Sequence, residues 1–103
     1  MEYLFSYGTL QRPEVQMELF GREVALSTDV MTGYRATPIK LNDDTHSLAI
    51  EHSGGEVEGS LLALSSEEIG ICDEYEPAEY CRVRVDLLSG QSAWAYVAAK
   101  RNL

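Results

Sequence analysis

Residues 3–10 read Tyr-Leu-Phe-Ser-Tyr-Gly-Thr-Leu. The aromatic-rich start of this stretch predicts a β-strand, because aromatic side chains suit a pleated, half-buried surface. The strand is expected to stop at Gly8 and enter a tight loop. A glycine there lets the backbone approach a ligand and present N–H groups to a carboxylate or a developing oxyanion. Taken alone, Tyr-Gly-Thr-Leu favours an ordinary turn that contains a glycine.

Two short helices are predicted. Pro13 suits the first turn of one, since proline has no N–H to leave unsatisfied there. The second helix begins with a capping box, in which the Ser65 and Glu68 side chains each accept a hydrogen bond from the other residue's backbone N–H. Pro77 disfavours helical geometry in the residue before it, so this helix should end near Tyr75 or Glu76.

The remaining segments alternate apolar and polar residues or lie beside turn residues, which predicts strands. The order of strand, helix, several strands, helix and hairpin predicts an α+β domain built on a strongly bent or barrel-like antiparallel sheet. The expected strands are residues 24–30 and 39–41, a hairpin of 48–51 and 57–64 around Ser53-Gly54-Gly55, and a hairpin of 81–87 and 93–98 around Ser89-Gly90.

Length and charge restrict the possible classes of protein. A chain of 103 residues has room for one core, so residues 1–103 are expected to form a single domain. Seventeen acidic residues against eight basic ones give a net charge of −9. That balance repels phosphate and disfavours a nucleic-acid or anionic-membrane partner.

The cysteines and histidines show no metal-ligand spacing. Cys72 and Cys81 are too few for a disulfide framework and are expected to be reduced thiols. His46 and His52 lie in a polar region and are expected to be surface imidazoles instead of metal ligands. No apolar run approaches the roughly 20 residues of a membrane span, and no signal-peptide pattern opens the chain, so a cytoplasmic location is expected.

Glu76 is the first candidate for chemistry. Ile69, Cys72 and Glu76 are spaced i, i+3 and i+7, which places the acid on the apolar face of the second helix. A carboxyl group on that face must be hydrogen-bonded or protonated with a raised pKa, and either state suits proton transfer. The alternative is that the helix has already ended and Glu76 turns outward beside Pro77.

Two stretches in order carry a resemblance to a known family. The Tyr-Gly-Thr-Leu of residues 7–10 is followed by Asp-Glu-Tyr-Glu-Pro-Ala-Glu-Tyr-Cys-Arg at residues 73–82. Together they resemble the gamma-glutamylcyclotransferase-like family, whose second motif is similar to Asp-x-x-Glu, a short spacer and Tyr-x-Arg. The positions that match this motif are Asp73, Glu76, Tyr80 and Arg82.

The resemblance implies a small bent antiparallel or mixed β-barrel with two short helices and a ligand cavity at one end. It also implies an enzyme that converts a gamma-glutamyl amide to 5-oxoproline and a free amine or amino acid, with Glu76 as general acid/base. Tyr80 is expected either to hydrogen-bond in the cavity or to be a core tyrosine with a satisfied hydroxyl. The residues expected to bind substrate are Tyr7, Gly8, Thr9, Leu10 and Tyr80.

The implied partner is therefore a small gamma-glutamyl substrate, and no metal, nucleotide or redox cofactor is expected. Two other classes of function remain open from the sequence. One is a binding module for an amino-acid-like ligand that does not turn the ligand over. The other is an interaction protein that uses its acidic face or an exposed sheet edge, with Glu76 merely ending a helix.

Overall fold

A computed structural model describes residues 1–100. Its five strands form one mixed sheet with two α-helices, and no helix in this range is long and apolar enough to cross a bilayer. The elements are β1 (Glu2–Ser6), a 3-10 turn (Thr9–Gln11), α1 (Pro13–Phe20), β2 (Leu26–Leu41), β3 (Asp44–Leu64), α2 (Ser66–Tyr75), β4 (Tyr80–Asp86) and β5 (Ser92–Ala98).

The aromatic-rich strand β1 lies at the centre of the sheet, whose order is β2-β3-β1-β5-β4. It pairs antiparallel with β3 and parallel with β5, and the other neighbouring pairs are antiparallel. Consecutive side chains of β1 enter different parts of the core. Leu4, fully buried, packs with residues of the helix side, whereas Phe5, also buried, packs with residues of the opposite, curved side.

The sheet is strongly bent, but it does not close into the expected barrel. The edge strands β2 and β4 have no ladder between them, and an isolated bridge joins Met31 to Leu87. The Leu88 amide then donates to the Val30 carbonyl at 2.8 Å. The α+β class is therefore confirmed, and "barrel" is corrected to an open, curled sheet whose edges meet at one end.

The β2–β3 hairpin differs from the prediction. Its turn is Asn42-Asp43, both with positive φ (49° and 69°), in a two-residue loop of the kind that matches strand twist. The predicted turn at residues 53–55 is wrong, because β3 runs through it and pairs on both sides. Those residues form an irregularity opposite Gly33, where the register shifts. A glycine-rich bulge and a glycine-rich turn share the same composition, which explains the error.

The helix boundaries follow their capping residues. In α2, Ser65 Oγ accepts from the Glu68 amide at 3.1 Å and Glu68 Oε1 accepts from the Ser65 amide at 2.9 Å, so the predicted capping box is present. The helix ends at Tyr75, as Pro77 predicted. Pro13 opens α1, also as predicted. Both cysteines are free thiols.

Gly59 is required where β3 crosses the end of β1. A Cβ at this position would overlap the backbone oxygen of Ser6 and would lie 2.7 Å from Phe5 Cζ. We expect Gly59→Ala to lower the free energy of unfolding by about 1–3 kcal/mol, the usual cost of overpacking. Urea denaturation followed by circular dichroism measures this change.

Gly70→Ala is the matched control. Gly70 lies in α2, and an added Cβ meets nothing within 4 Å. Alanine is favoured over glycine in a helix interior by roughly 0.5–1 kcal/mol, so this variant should be slightly more stable than the parent. Equal effects of the two substitutions would contradict the close approach described for Gly59.

Candidate active site

A cavity of about 680 Å³ opens where β1 ends. Three segments form its walls: the loop after β1, the tip of the β2–β3 hairpin at residues 41–47, and the connection from α2 to β4. Its volume is in the range of small-molecule sites in proteins. The candidate residues Tyr7, Gly8, Thr9, Glu76 and Tyr80 all line it.

Tyr7 lines the cavity with its hydroxyl already engaged. The hydroxyl donates to the Tyr96 carbonyl at 2.6 Å and accepts from the Ala49 amide at 2.9 Å. Burial raises the pKa of Tyr7 well above its ordinary value, so the phenol stays protonated and keeps donating. Tyr7 therefore contributes to the cavity wall, while its oxygen holds the surrounding backbone.

The loop after Tyr7 forms a 3-10 turn that presents backbone groups to the cavity. Thr9 Oγ1 and the Tyr75 hydroxyl share a hydrogen bond at 2.7 Å, which attaches the loop to the end of α2. Within residues 1–100, the backbone amides of Thr9 and Leu10 donate no hydrogen bond. Leu10 differs from its neighbours, because its side chain is 2% exposed and packs in the core on the helix side. Leu10, expected to bind substrate, is therefore a core residue and does not line the cavity.

Glu76 follows the last residue of α2 and lies half-buried in the cavity wall. Its amide donates to the Cys72 carbonyl at 3.0 Å, and its extended backbone leads into Pro77. The helix thus ends before Glu76, yet the side chain lines the cavity instead of turning out to solvent. Burial raises the pKa of the Glu76 carboxyl to about 7. No hydrogen bond or ion pair among the described residues engages this carboxyl.

Tyr80 combines features of the two roles expected for it. It lines the cavity, and its hydroxyl already has a hydrogen-bond partner. The hydroxyl donates to the Ser47 carbonyl at 2.7 Å, which ties the hairpin tip to the start of β4. Burial, with smaller effects of the Glu76 and Glu79 charges, raises the pKa of Tyr80 to about 12. Tyr80 therefore holds one cavity wall in place.

A polar network anchors the end of α2 behind Glu76. The Tyr96 hydroxyl donates to Asp73 Oδ1 at 2.6 Å, and Arg82 Nε lies 3.4 Å from the same oxygen. The Arg82 guanidinium also lies 4.4 Å from the centre of the Trp94 ring. These contacts join the end of α2 to β4 and β5.

Several cavity residues were missed by sequence reasoning. Asp44 and His46 reach the site because the hairpin turns at Asn42-Asp43, a pair that tolerates positive φ and was the available signal. His46, expected on the surface, is half-buried in the cavity wall, whereas His52 is exposed as expected. Arg12 also lines the cavity.

Known proteins share this sequence pattern. Residues 4–103 match the family described as gamma-glutamyl cyclotransferase, AIG2-like. The chain belongs to this family. AIG2-like protein C of Arabidopsis thaliana is 30% identical over 86 residues, which are 82% of this chain and 49% of that relative. The chain thus spans about half the length of the curated relative it matches.

Solved structures share the fold at lower identity. A solution structure of an Arabidopsis thaliana protein superposes with a TM-score of 0.82 at 21% identity, covering 98% of this chain and 70% of that one. A structure named gamma-glutamyl cyclotransferase gives a TM-score of 0.73 at 14% identity, covering 96% and 67%. These likenesses establish the α+β fold that the family was expected to have.

Burial of Glu76 makes stability depend on pH. The folded state holds the Glu76 proton up to about pH 7, whereas the unfolded chain releases it near the ordinary value of 4.5. The free energy of unfolding should therefore fall as pH rises between these values, by about 2 kcal/mol after allowance for solvent screening. Urea denaturation of the parent and Glu76→Gln at pH 5 and pH 8 measures this contribution. We expect the variant to gain stability relative to the parent at pH 8, and a constant difference would contradict the burial.

Removal of the Tyr80 hydroxyl should loosen the hairpin tip. Tyr80→Phe deletes the hydrogen bond to Ser47, at a cost of about 1 kcal/mol. We expect faster amide hydrogen exchange at residues 44–47 than in the parent, with little change in β1. Tyr3→Phe, at an exposed position, is the control. Unchanged exchange at the tip in Tyr80→Phe would show that other contacts hold this wall.

Proposed function

We propose that the protein is a gamma-glutamylcyclotransferase-type enzyme that converts a gamma-glutamyl amide to 5-oxoproline and a free amine or amino acid. One observation carries the proposal: the half-buried carboxyl of Glu76, with its pKa raised to about 7, lines a cavity of small-molecule size together with Gly8 and Thr9. A group with a pKa near neutrality can both accept and donate a proton at working pH. Membership of the AIG2-like gamma-glutamyl cyclotransferase family supports the reaction class.

The substrate of this reaction carries its own nucleophile. The α-amine of the glutamyl group attacks its own γ-carbonyl carbon, and a five-membered ring closes. Because both reacting groups belong to one molecule, much of the entropic cost of bringing them together is already met. The protein has to hold the bent conformer and move protons.

Glu76 is assigned the proton transfers. Its carboxylate takes one proton from the α-ammonium group, so that the nitrogen lone pair can form the new C–N bond. The protonated carboxyl then gives this proton to the departing nitrogen as the old C–N bond breaks. The second proton on the ring nitrogen goes to solvent, and the released amine takes one from solvent, so the charges balance without any water being added to the carbonyl.

The backbone of the loop is assigned the negative charge of the substrate. The amides of Thr9 and Leu10 suit either the α-carboxylate or the oxyanion that develops at the γ-carbon. Removal of a single such donor in other enzymes costs about a hundredfold or more in rate. The Thr9 hydrogen bond to Tyr75 supports this role, since it keeps the loop in one position relative to Glu76.

The raised pKa of Glu76 is compatible with its role as a base. Desolvation favours the protonated acid in the empty cavity. An ammonium group that enters beside the carboxyl favours the ionised form and lowers its pKa. Substrate binding thus ionises the base that the first step needs.

The test is release of 5-oxoproline from a panel of gamma-glutamyl amino acids and amines. We expect the parent to turn over at least one member and Glu76→Gln to reduce kcat by about a hundredfold or more, the usual range for loss of an acid/base group. Glu74→Gln removes an exposed acid from the same helix and serves as the control. The proposal is wrong if a folded parent releases no 5-oxoproline, or if Glu76→Gln retains parental activity.

A further inference from the structure

Arg12 contributes the positive charge of the cavity wall. Among the described residues, it is the only lysine or arginine that lines the cavity, where the acids are Asp44 and Glu76. Its side chain is exposed, and its guanidinium forms no hydrogen bond or ion pair within residues 1–100. In a chain with 17 acidic residues, a cavity-lining arginine without an acidic partner is placed to meet an anion from solution.

The backbone at Arg12 is held rigidly to the candidate site. Its amide donates to the Thr9 carbonyl at 3.0 Å, and its carbonyl accepts from the Val15 and Gln16 amides at 3.1 Å each. The buried Gln16 side chain donates to the Leu10 carbonyl at 2.9 Å. Arg12 therefore keeps a fixed place relative to the loop, while its long side chain remains available.

The neighbouring polar side chain is not available in the same way. Gln11 Nε2 donates to the Gly8 carbonyl at 3.2 Å, and Gln11 Oε1 accepts from Ser60 Oγ at 2.7 Å. Both ends of Gln11 thus stabilise the loop. Of these two adjacent side chains, Arg12 is the one left to contact a ligand.

We propose that Arg12 binds a carboxylate on the departing half of the substrate and so makes the site selective for gamma-glutamyl amino acids over gamma-glutamyl amines. This inference rests on the proposed function. The loop amides lie where β1 ends and are assigned to the glutamyl half, whereas the exposed Arg12 meets the part that projects toward solvent. A guanidinium binds a carboxylate through two parallel hydrogen bonds, a geometry that a neutral leaving amine cannot offer.

The experiment compares two substrates that differ only in this charge, gamma-glutamyl-alanine and gamma-glutamyl-alaninamide. We expect the parent to favour the acid in kcat/KM by about tenfold, the effect of one partly exposed charge-assisted contact. Arg12→Gln should bring that ratio close to one, and Arg12→Lys should retain part of it. Arg35→Gln is the matched control, because Arg35 is also exposed but lines a separate shallow recess beside Tyr7.

The outcomes separate this proposal from the proposed function. An equal loss on both substrates in Arg12→Gln would assign Arg12 to the glutamyl half and overturn the selectivity. A ratio that survives in Arg12→Gln but falls in Arg35→Gln would move the carboxylate contact to the recess. If the parent turns over neither compound, calorimetric titration of both still compares their Kd values. An Arg12-dependent preference for the acid in Kd would then retain the contact, and equal Kd values would overturn it. The cyclotransferase activity itself is decided separately, by 5-oxoproline release from the full panel.

Discussion

The hydroxyl of Tyr7 is the interaction on which the shape of the site depends. Strand β1 pairs with the end of β3, from Ser60 to Leu64. The earlier part of β3 therefore has no ladder with the central strand β1. Tyr7 supplies the missing connection, because its hydroxyl accepts from Ala49 in that earlier part and donates to Tyr96 in β5. One phenol thus holds the bent arm of the hairpin against the sheet and keeps the cavity between them.

The local elements could be predicted because their signals lie within a few residues of one another. The Ser65 and Glu68 capping box fixes the start of α2, and Pro77 fixes its end, with no help from distant parts of the chain. The last hairpin follows from alternation and a turn at Ser89-Gly90. The same reasoning placed Glu76 near the helix end. The order of the elements predicted the α+β class, and the resemblance of the two motifs to a known family implied the same fold.

The hairpin tip could not be placed in this way. Its contribution to the site depends on whether the chain turns at Asn42-Asp43 or at Ser53-Gly54-Gly55. Both stretches contain typical turn residues, so composition alone does not decide between them. The answer comes from pairing over 15 matched positions between β2 and β3, which is a property of the whole sheet. The burial of Leu10 could not be predicted either. Leu10 is the last residue of the Tyr-Gly-Thr-Leu motif, but its side chain packs in the core on the helix side.

The register shift at Gly33 divides the β2–β3 hairpin into an inner part and an outer arm, whose tip at residues 41–47 lines the cavity. Below it, Met31 and Val57 are buried, whereas most side chains of the outer arm are at least partly exposed. Adding a pair of residues to each strand of the outer arm would extend it by about 7 Å while leaving the packed half unchanged. The fold thus permits the depth of the cavity to change without rebuilding the core.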